Sequence, residues 1–108
     1  MKHIKRHYQI GVFPKGEPKV IGVTIVGELD KLPDGTYELK FGAARSSIKD
    51  NFTKKVGMKL ATERFETHPH TERMLLPKFM EKSFSSLPEH LALHIAYNAE
   101  YIKIHFKS

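Results

Sequence analysis

Phe41-Gly42-Ala43-Ala44-Arg45-Ser46-Ser47-Ile48-Lys49-Asp50-Asn51-Phe52-Thr53-Lys54-Lys55-Val56-Gly57-Met58-Lys59-Leu60-Ala61-Thr62-Glu63-Arg64-Phe65 reads as the end of a strand, a polar turn and the opening of a helix. Upstream, Tyr37, Leu39 and Phe41 alternate with Glu38 and Lys40, the period of two of a half-buried strand. Asp50 is suited to cap a helix, because its carboxylate accepts a hydrogen bond from a free first-turn amide. At 100° per residue, Val56, Gly57, Leu60, Ala61 and Phe65 share one broad face, and Lys55, Lys59, Thr62 and Glu66 share the opposite one. Gly57 and Ala61, one turn apart, carry so little side chain that the helix backbone can lie close to a sheet. A strand that turns directly into such a helix predicts an α+β domain.

The flanking sequence extends that reading in both directions. Ile4, Arg6, Tyr8, Ile10 and Val12 alternate with Lys5, His7, Gln9 and Gly11 and predict a first strand, closed by Pro14, Gly16 and Pro18. Val20 to Val26 is apolar at both parities and rich in β-branched residues, as a central strand with neighbours on both edges would be. Pro33-Asp34-Gly35 is turn chemistry, with proline presetting φ and glycine supplying a positive one. These strands form an antiparallel meander. Beyond the quoted helix, His68-Pro69 is a stop, since a residue before proline avoids the helical region. Pro77 and Pro88 suit first turns of helices over 77–84 and 88–99. The tail Tyr101 to Phe106 alternates through Ile102, Ile104 and Phe106 and is read as a C-terminal strand; a continuous helix, or a hairpin across Tyr97 to Glu100, fits the same residues. The expectation is α+β: an antiparallel three- or four-stranded sheet with helices on one face, in the order βββααα with the tail strand as an addition. Residues 1–108 contain no repeat, linker or low-complexity tract and read as a single domain.

Composition narrows the function. The chain has 108 residues, 40% of them hydrophobic and 28% charged, with a formal net charge of +6. No apolar run approaches the roughly 20 residues of a membrane-spanning helix, and no membrane association is expected. Met1-Lys2-His3-Ile4-Lys5-Arg6 leads into no continuous apolar stretch, so a secretory signal is not expected. The absence of cysteine excludes disulfides, thiolate metal sites and a cysteine nucleophile, and suits a reducing, cytoplasmic compartment. No Gly-x-Ser-x-Gly elbow and no glycine-rich phosphate loop occurs. The carboxylates form no evident acid/base couple, so no enzymatic activity and no cofactor are expected.

Charge is concentrated in the quoted stretch. Residues 45–64 hold six basic side chains (Arg45, Lys49, Lys54, Lys55, Lys59, Arg64) against two acidic ones (Asp50, Glu63). Lysines in a first helical turn stand against the positive end of the macrodipole, each at about 0.3–1 kcal/mol. A phosphate or an acidic surface at that end would remove the penalty; solvation of the lysines with Asp50 as cap is the plainer alternative. The candidate site is therefore nucleic-acid binding through Arg45, Lys49, Lys54, Lys55 and Lys59 as charges and Ser46, Ser47 and Asn51 as hydrogen-bond donors. A host protein with an acidic surface is the alternative partner. Tyr37 and Phe41 alternate as core residues do, which argues against a base-stacking platform.

Ser46-Ser47-x-x-Asp50-x-Phe52-x-x-x-x-Gly57-x-x-x-Ala61-x-x-Arg64, entered from Gly42-Ala43, resembles a strand-turn-helix pattern of small bacteriophage proteins, mostly of unassigned function. The match covers about a quarter of the chain. The resemblance implies phage or prophage origin, hence the host cytoplasm, and little about mechanism; the alternative function is an inhibitor or modulator of one host protein. Arg64, off the apolar face, is placed to reach back over the sheet edge.

Seven histidines are available. His68-x-His70 and His90-x-x-x-His94 each present two imidazoles at metal-ligand spacing, and their convergence, or the addition of Glu89, would suit zinc or nickel. Leu91 after His90 rules out a His-Glu-x-x-His arrangement. A Pro-flanked pair and a polar helix face explain the same residues without an ion, and no metal is assigned. Met74-Leu75-Leu76 and the helix over 77–84 read as core, with half of a homodimer interface or a protein-binding patch as the alternative.

Overall fold

The computed structural model describes residues 2–12, 16, 19–47, 54–74 and 86–106. Three strands come first: β1 (Lys2–Val12), β2 (Lys19–Lys31) and β3 (Tyr37–Ser47). Helix α1 (Lys54–Thr67), strand β4 (His70–Met74), helix α2 (Ser86–Tyr97) and helix α3 (Glu100–His105) follow. The strands form one antiparallel sheet in the order β1-β2-β3-β4, so the α+β meander expected from the sequence is the fold.

Turn chemistry sets the β2–β3 register. Gly35 has φ 88°, the Gly35 amide donates to the Leu32 carbonyl at 3.0 Å, and Leu32 donates to the Thr36 carbonyl at 2.8 Å. Asp34 Oδ1 accepts from the Thr36 amide at 3.0 Å and from its hydroxyl at 2.6 Å. Those two bonds hold the Asp34 carboxyl below its ordinary pKa. From that turn the ladder runs uninterrupted from Lys31↔Tyr37 to Ile21↔Ser47.

Alternation then assigns the two faces. On one face Val23 and Ile25 of β2 and Leu39, Phe41 and Ala43 of β3 join Leu91, Ala92, Ile95, Tyr101 and Phe106 in the main core. Phe41 meets Phe106 edge to face, with ring centroids 5.5 Å apart. On the other face Val26 and Ala44 pack under Ala61, with Met58, Leu60 and Phe65 half-buried around them. The helices thus do not share one face: α1 covers one side and α2 with α3 the other. The reason lies in β2 and β3, which are buried on both sides and need a cover on each.

The α1 seam is narrower than the helical wheel implies. Gly57 and Ala61 are buried, but Val56 remains 46% exposed. A Cβ on Gly42 would collide with the carbonyl oxygen of Ala61 and the amide nitrogen of Phe65, so backbone lies against backbone. So close an approach centres the contact on Gly57 and Ala61 and leaves Val56 turned aside.

Two further expectations are corrected. The fourth strand is His70–Met74, not the tail: β4 pairs with β3 from Phe41↔His70 to Tyr37↔Met74. Tyr101 to His105 is helical, because the Asn98 side chain accepts the Glu100 amide at 3.2 Å and the Asn98 carbonyl accepts the Tyr101 amide at 3.1 Å, which restarts a helix after α2. Tyr101 and Phe106 are then buried while Ile104 faces out. The helix expected over 88–99 is α2; that over 77–84, with its dimer alternative, lies outside the described residues.

Replacing Gly42 by Ala should lower stability in urea unfolding by about 1–3 kcal/mol, the usual range for overpacking. Gly11→Ala, with open space around its Cβ, should stay within about 0.5 kcal/mol of the parent. Equal midpoints for the two variants would contradict the backbone contact.

Candidate functional site

The expected cationic set divides by strand parity. Arg45 shares its parity with Phe41 and Ala43 and so points to the α2 face. There its Nε donates to the Ile95 carbonyl at 3.1 Å and its Nη2 to the Ala96 carbonyl at 3.0 Å. These carbonyls belong to the last turn of α2, where the helix has no further amides to satisfy them. A cation there also meets the negative end of the macrodipole. Arg45 is thereby removed from the anion-binding set; it is a helix cap, half-buried on the wrong side of the sheet. Arg64 is used similarly: its Nη1 donates to the Ala43 carbonyl at 2.8 Å, two residues past the last β3–β4 pair. The reach over the sheet edge expected of Arg64 is what the structure has.

The lysines of α1 take the opposite course. Lys54, Lys55 and Lys59 are all exposed, and the first turn of α1 contains no acidic residue. Among the described residues none of the three has an ion-pair partner within 4.0 Å. Together with Met58, Thr62 and Glu63 they line one open depression on the outer side of the helix. Lys55 and Lys59, one turn apart, repel each other by a few tenths of a kcal/mol (about 0.2–0.5). The Lys54 charge is felt at His7, whose Nδ1 lies 2.8 Å from the buried Thr24 hydroxyl. Partial burial and the Lys54 charge both hold the His7 pKa below its ordinary value. Ser46 is half-buried on the α1 face of β3 and already engaged. Ser47 ends β3; Lys49 and Asn51, with the proposed cap Asp50, lie outside the described residues.

The histidine pairs do not converge as their spacing suggested. His68 and His90 are exposed, and Glu89 is exposed and close enough for its charge to act on Tyr8. His94, though exposed, stands edge-on to the Tyr101 ring with centroids 5.3 Å apart. His70 instead enters a different group, where β4 faces α3. Its Nε2 lies 2.9 Å from Glu72 Oε1, and the Tyr101 hydroxyl donates to the same oxygen at 2.7 Å. His105 stacks on His70 with centroids 3.9 Å apart and planes 25° from parallel. Burial alone would raise the Glu72 pKa; bonds from Tyr101 and His70 and the nearby imidazoles outweigh it and hold the carboxyl below its ordinary value. Burial, the Tyr101–Glu72 bond and the Glu72 charge raise the Tyr101 pKa, so the hydroxyl stays a donor. The strand spacing His70-x-Glu72 and the helical spacing Tyr101-x-x-x-His105 were both present in the sequence. Reading them required knowing that 70–74 is a strand and 100–105 a helix.

Compared with family models, curated proteins and solved structures, the chain matches none. Among the described residues no helix is long and apolar enough to cross a membrane.

Arg45→Ala should lower stability by about 1.5–3 kcal/mol, the range for hydrogen bonds from a charged group. Lys54→Ala should leave it within about 0.5 kcal/mol. Urea midpoints for the two variants check this; a silent Arg45 variant would deny the cap.

Proposed function

We propose that the protein is a small non-enzymatic accessory protein that binds nucleic-acid phosphates through the outer face of α1, with Lys54, Lys55 and Lys59 as the charges. The observation that carries this reading is the set of three exposed ammonium groups at the start of one helix, against a single acid, Glu63, in the same depression and with no ion pair within 4.0 Å among the described residues. Their placement costs the helix free energy at both the macrodipole and the i,i+4 repulsion, and a polyanion relieves both. Lys5 extends the patch from β1, since it is exposed and shares its sheet face with His7.

The chemistry favours phosphates over bases. Tyr37 and Phe41 are buried at 2% and 0% exposure, so the strand beside α1 offers no aromatic surface for stacking. Lysines act as point charges towards phosphate oxygens and carry little sequence information. Binding is therefore expected to be insensitive to sequence and strongly sensitive to salt.

Fluorescence anisotropy with labelled duplex DNA, single-stranded DNA and RNA tests the reading. The wild type should bind at about 50 mM salt and weaken steeply by about 200 mM. The triple variant Lys54→Ala, Lys55→Ala, Lys59→Ala should bind more weakly. Its log–log salt slope on duplex DNA should fall by up to about 2.7, at about 0.9 for each phosphate no longer neutralised. Absence of binding by the wild type, or an unchanged slope in the triple variant, ends this reading. A nuclease-insensitive complex with one host protein, in the same absence, would replace it with a protein modulator.

His7 reports on the same event. An anion seated beside Lys54 cancels the charge that helps depress the imidazole, so the His7 pKa should move up towards its ordinary value when oligonucleotide is added. NMR titration of the ring protons measures it; an unmoved pKa under saturating oligonucleotide would place the contact elsewhere.

A further inference from the structure

We propose that His70, Glu72 and His105 form a binding site for one divalent transition-metal cation, with Zn2+ the best match to the ligands. One donor atom from each residue lies within 4.8 Å of the other two, and all three side chains are half-buried. Two imidazoles and a carboxylate are a borderline ligand set that favours zinc over the hard cations calcium and magnesium. With ligand bonds of about 2.0–2.1 Å, neighbouring donors of a tetrahedral site stand about 3.3 Å apart. The 2.9 Å between His70 Nε2 and Glu72 Oε1 is close to that separation. His105 is the last residue of the six-residue helix α3.

Several features support a held site rather than a chance encounter of polar groups. Tyr101 donates to Glu72 and so orients the carboxylate, as outer-shell donors do around bound metals. Phe41 and Phe106 stand edge-on to the His70 ring at centroid distances of 5.8 and 6.4 Å and limit its rotation. His105 offers a donor atom within 4.8 Å of those of Glu72 and His70. Because a ring nitrogen's lone pair lies in the ring plane, sharing one cation requires the stacked His70 and His105 rings to tilt apart. Coordination through His70 Nε2 requires the tautomer with its hydrogen on Nδ1, and the cation then replaces the hydrogen now shared with Glu72. The three protein ligands leave a fourth position for water. The cation would join the edge strand β4 to α3, across a boundary that the Tyr101–Glu72 bond already bridges.

Untagged protein, stripped with chelator and dialysed, is titrated with Zn2+ by calorimetry above the ordinary imidazole pKa of about 6.5, so that the histidines are neutral ligands. The expected result is saturable uptake of one Zn2+ per chain and a rise in Tm that chelator reverses. His70→Ala and His105→Ala should lose this uptake, while His90→Ala, altering an exposed histidine outside the group, should retain it. Because the alanine variants remove ring packing, the near-isosteric Glu72→Gln and Tyr101→Phe provide a second reading. Tyr101→Phe, which removes an outer-shell donor, should weaken binding by about 10–100-fold, and Glu72→Gln, which removes a ligand's charge, by at least as much, each with an unchanged far-UV spectrum. Wild-type protein that takes up no Zn2+ overturns the proposal. So does stoichiometric uptake that persists undiminished in both Glu72→Gln and His105→Ala, which would put the ion on surface histidines instead.

Discussion

The contact of the α1 backbone with β3 at Gly42 is the constraint from which the layout follows. A side chain on Gly42 would meet the backbone at Ala61 and Phe65, so only glycine lets the helix rest there. Its neighbours in β3, Phe41 and Ala43, point to the other side and are fully buried there. One strand therefore carries a close-packed small-residue seam on one face and the large aromatic core on the other. With α1 taken up by the first face, α2 and α3 are left to cover the second.

That division also decides how the positive charge is used. The two arginines nearest the seam are spent on carbonyls: Arg45 on Ile95 and Ala96 at the end of α2, Arg64 on Ala43 where β4 no longer covers β3. Guanidinium suits that task, since its planar fork satisfies more than one acceptor and stays charged when partly buried. Among the described residues, the lysines of α1 have no ion pair or hydrogen bond of that kind. Their exposure follows from the narrow seam, because a helix that touches the sheet through Gly57 and Ala61 keeps most of its circumference in water. The structural arginines and the exposed lysines belong to one basic stretch of the sequence.

The aromatic end of the core has its own consequence. Folding brings the polar edge strand β4 against α3 and gathers two imidazoles, a carboxylate and a phenol around one small volume. His70 and Glu72 face inward because they share the parity of their partners Phe41 and Leu39. Polar residues in that position need partners, and they find them in Tyr101 and in each other. Among the described residues no buried side-chain polar atom lacks a hydrogen bond.

By itself the sequence determined the elements with strong local signals. The meander was legible from alternation in β1 and β3, the apolar run of β2, and Pro33-Asp34-Gly35, whose turn is closed by hydrogen bonds among its own residues. The helical character of 54–67 and 86–97 followed likewise from periodicity and punctuation. The parity of Arg45 with Phe41 and Ala43 was also written there, and it was enough to send that side chain away from the lysines. Tertiary structure alone decided the rest. His70–Met74 has no apolar alternation because an edge strand with one polar-lined face does not require it, so only pairing with β3 makes it a strand. Tyr101 to His105 alternates like a strand but is helical because Asn98 restarts the helix and burial of Tyr101 and Phe106 holds it there. The meeting of His70, Glu72 and His105 is equally non-local. Side chains so distant along the chain become neighbours only when sheet and helices have packed, and no local preference encodes that distance.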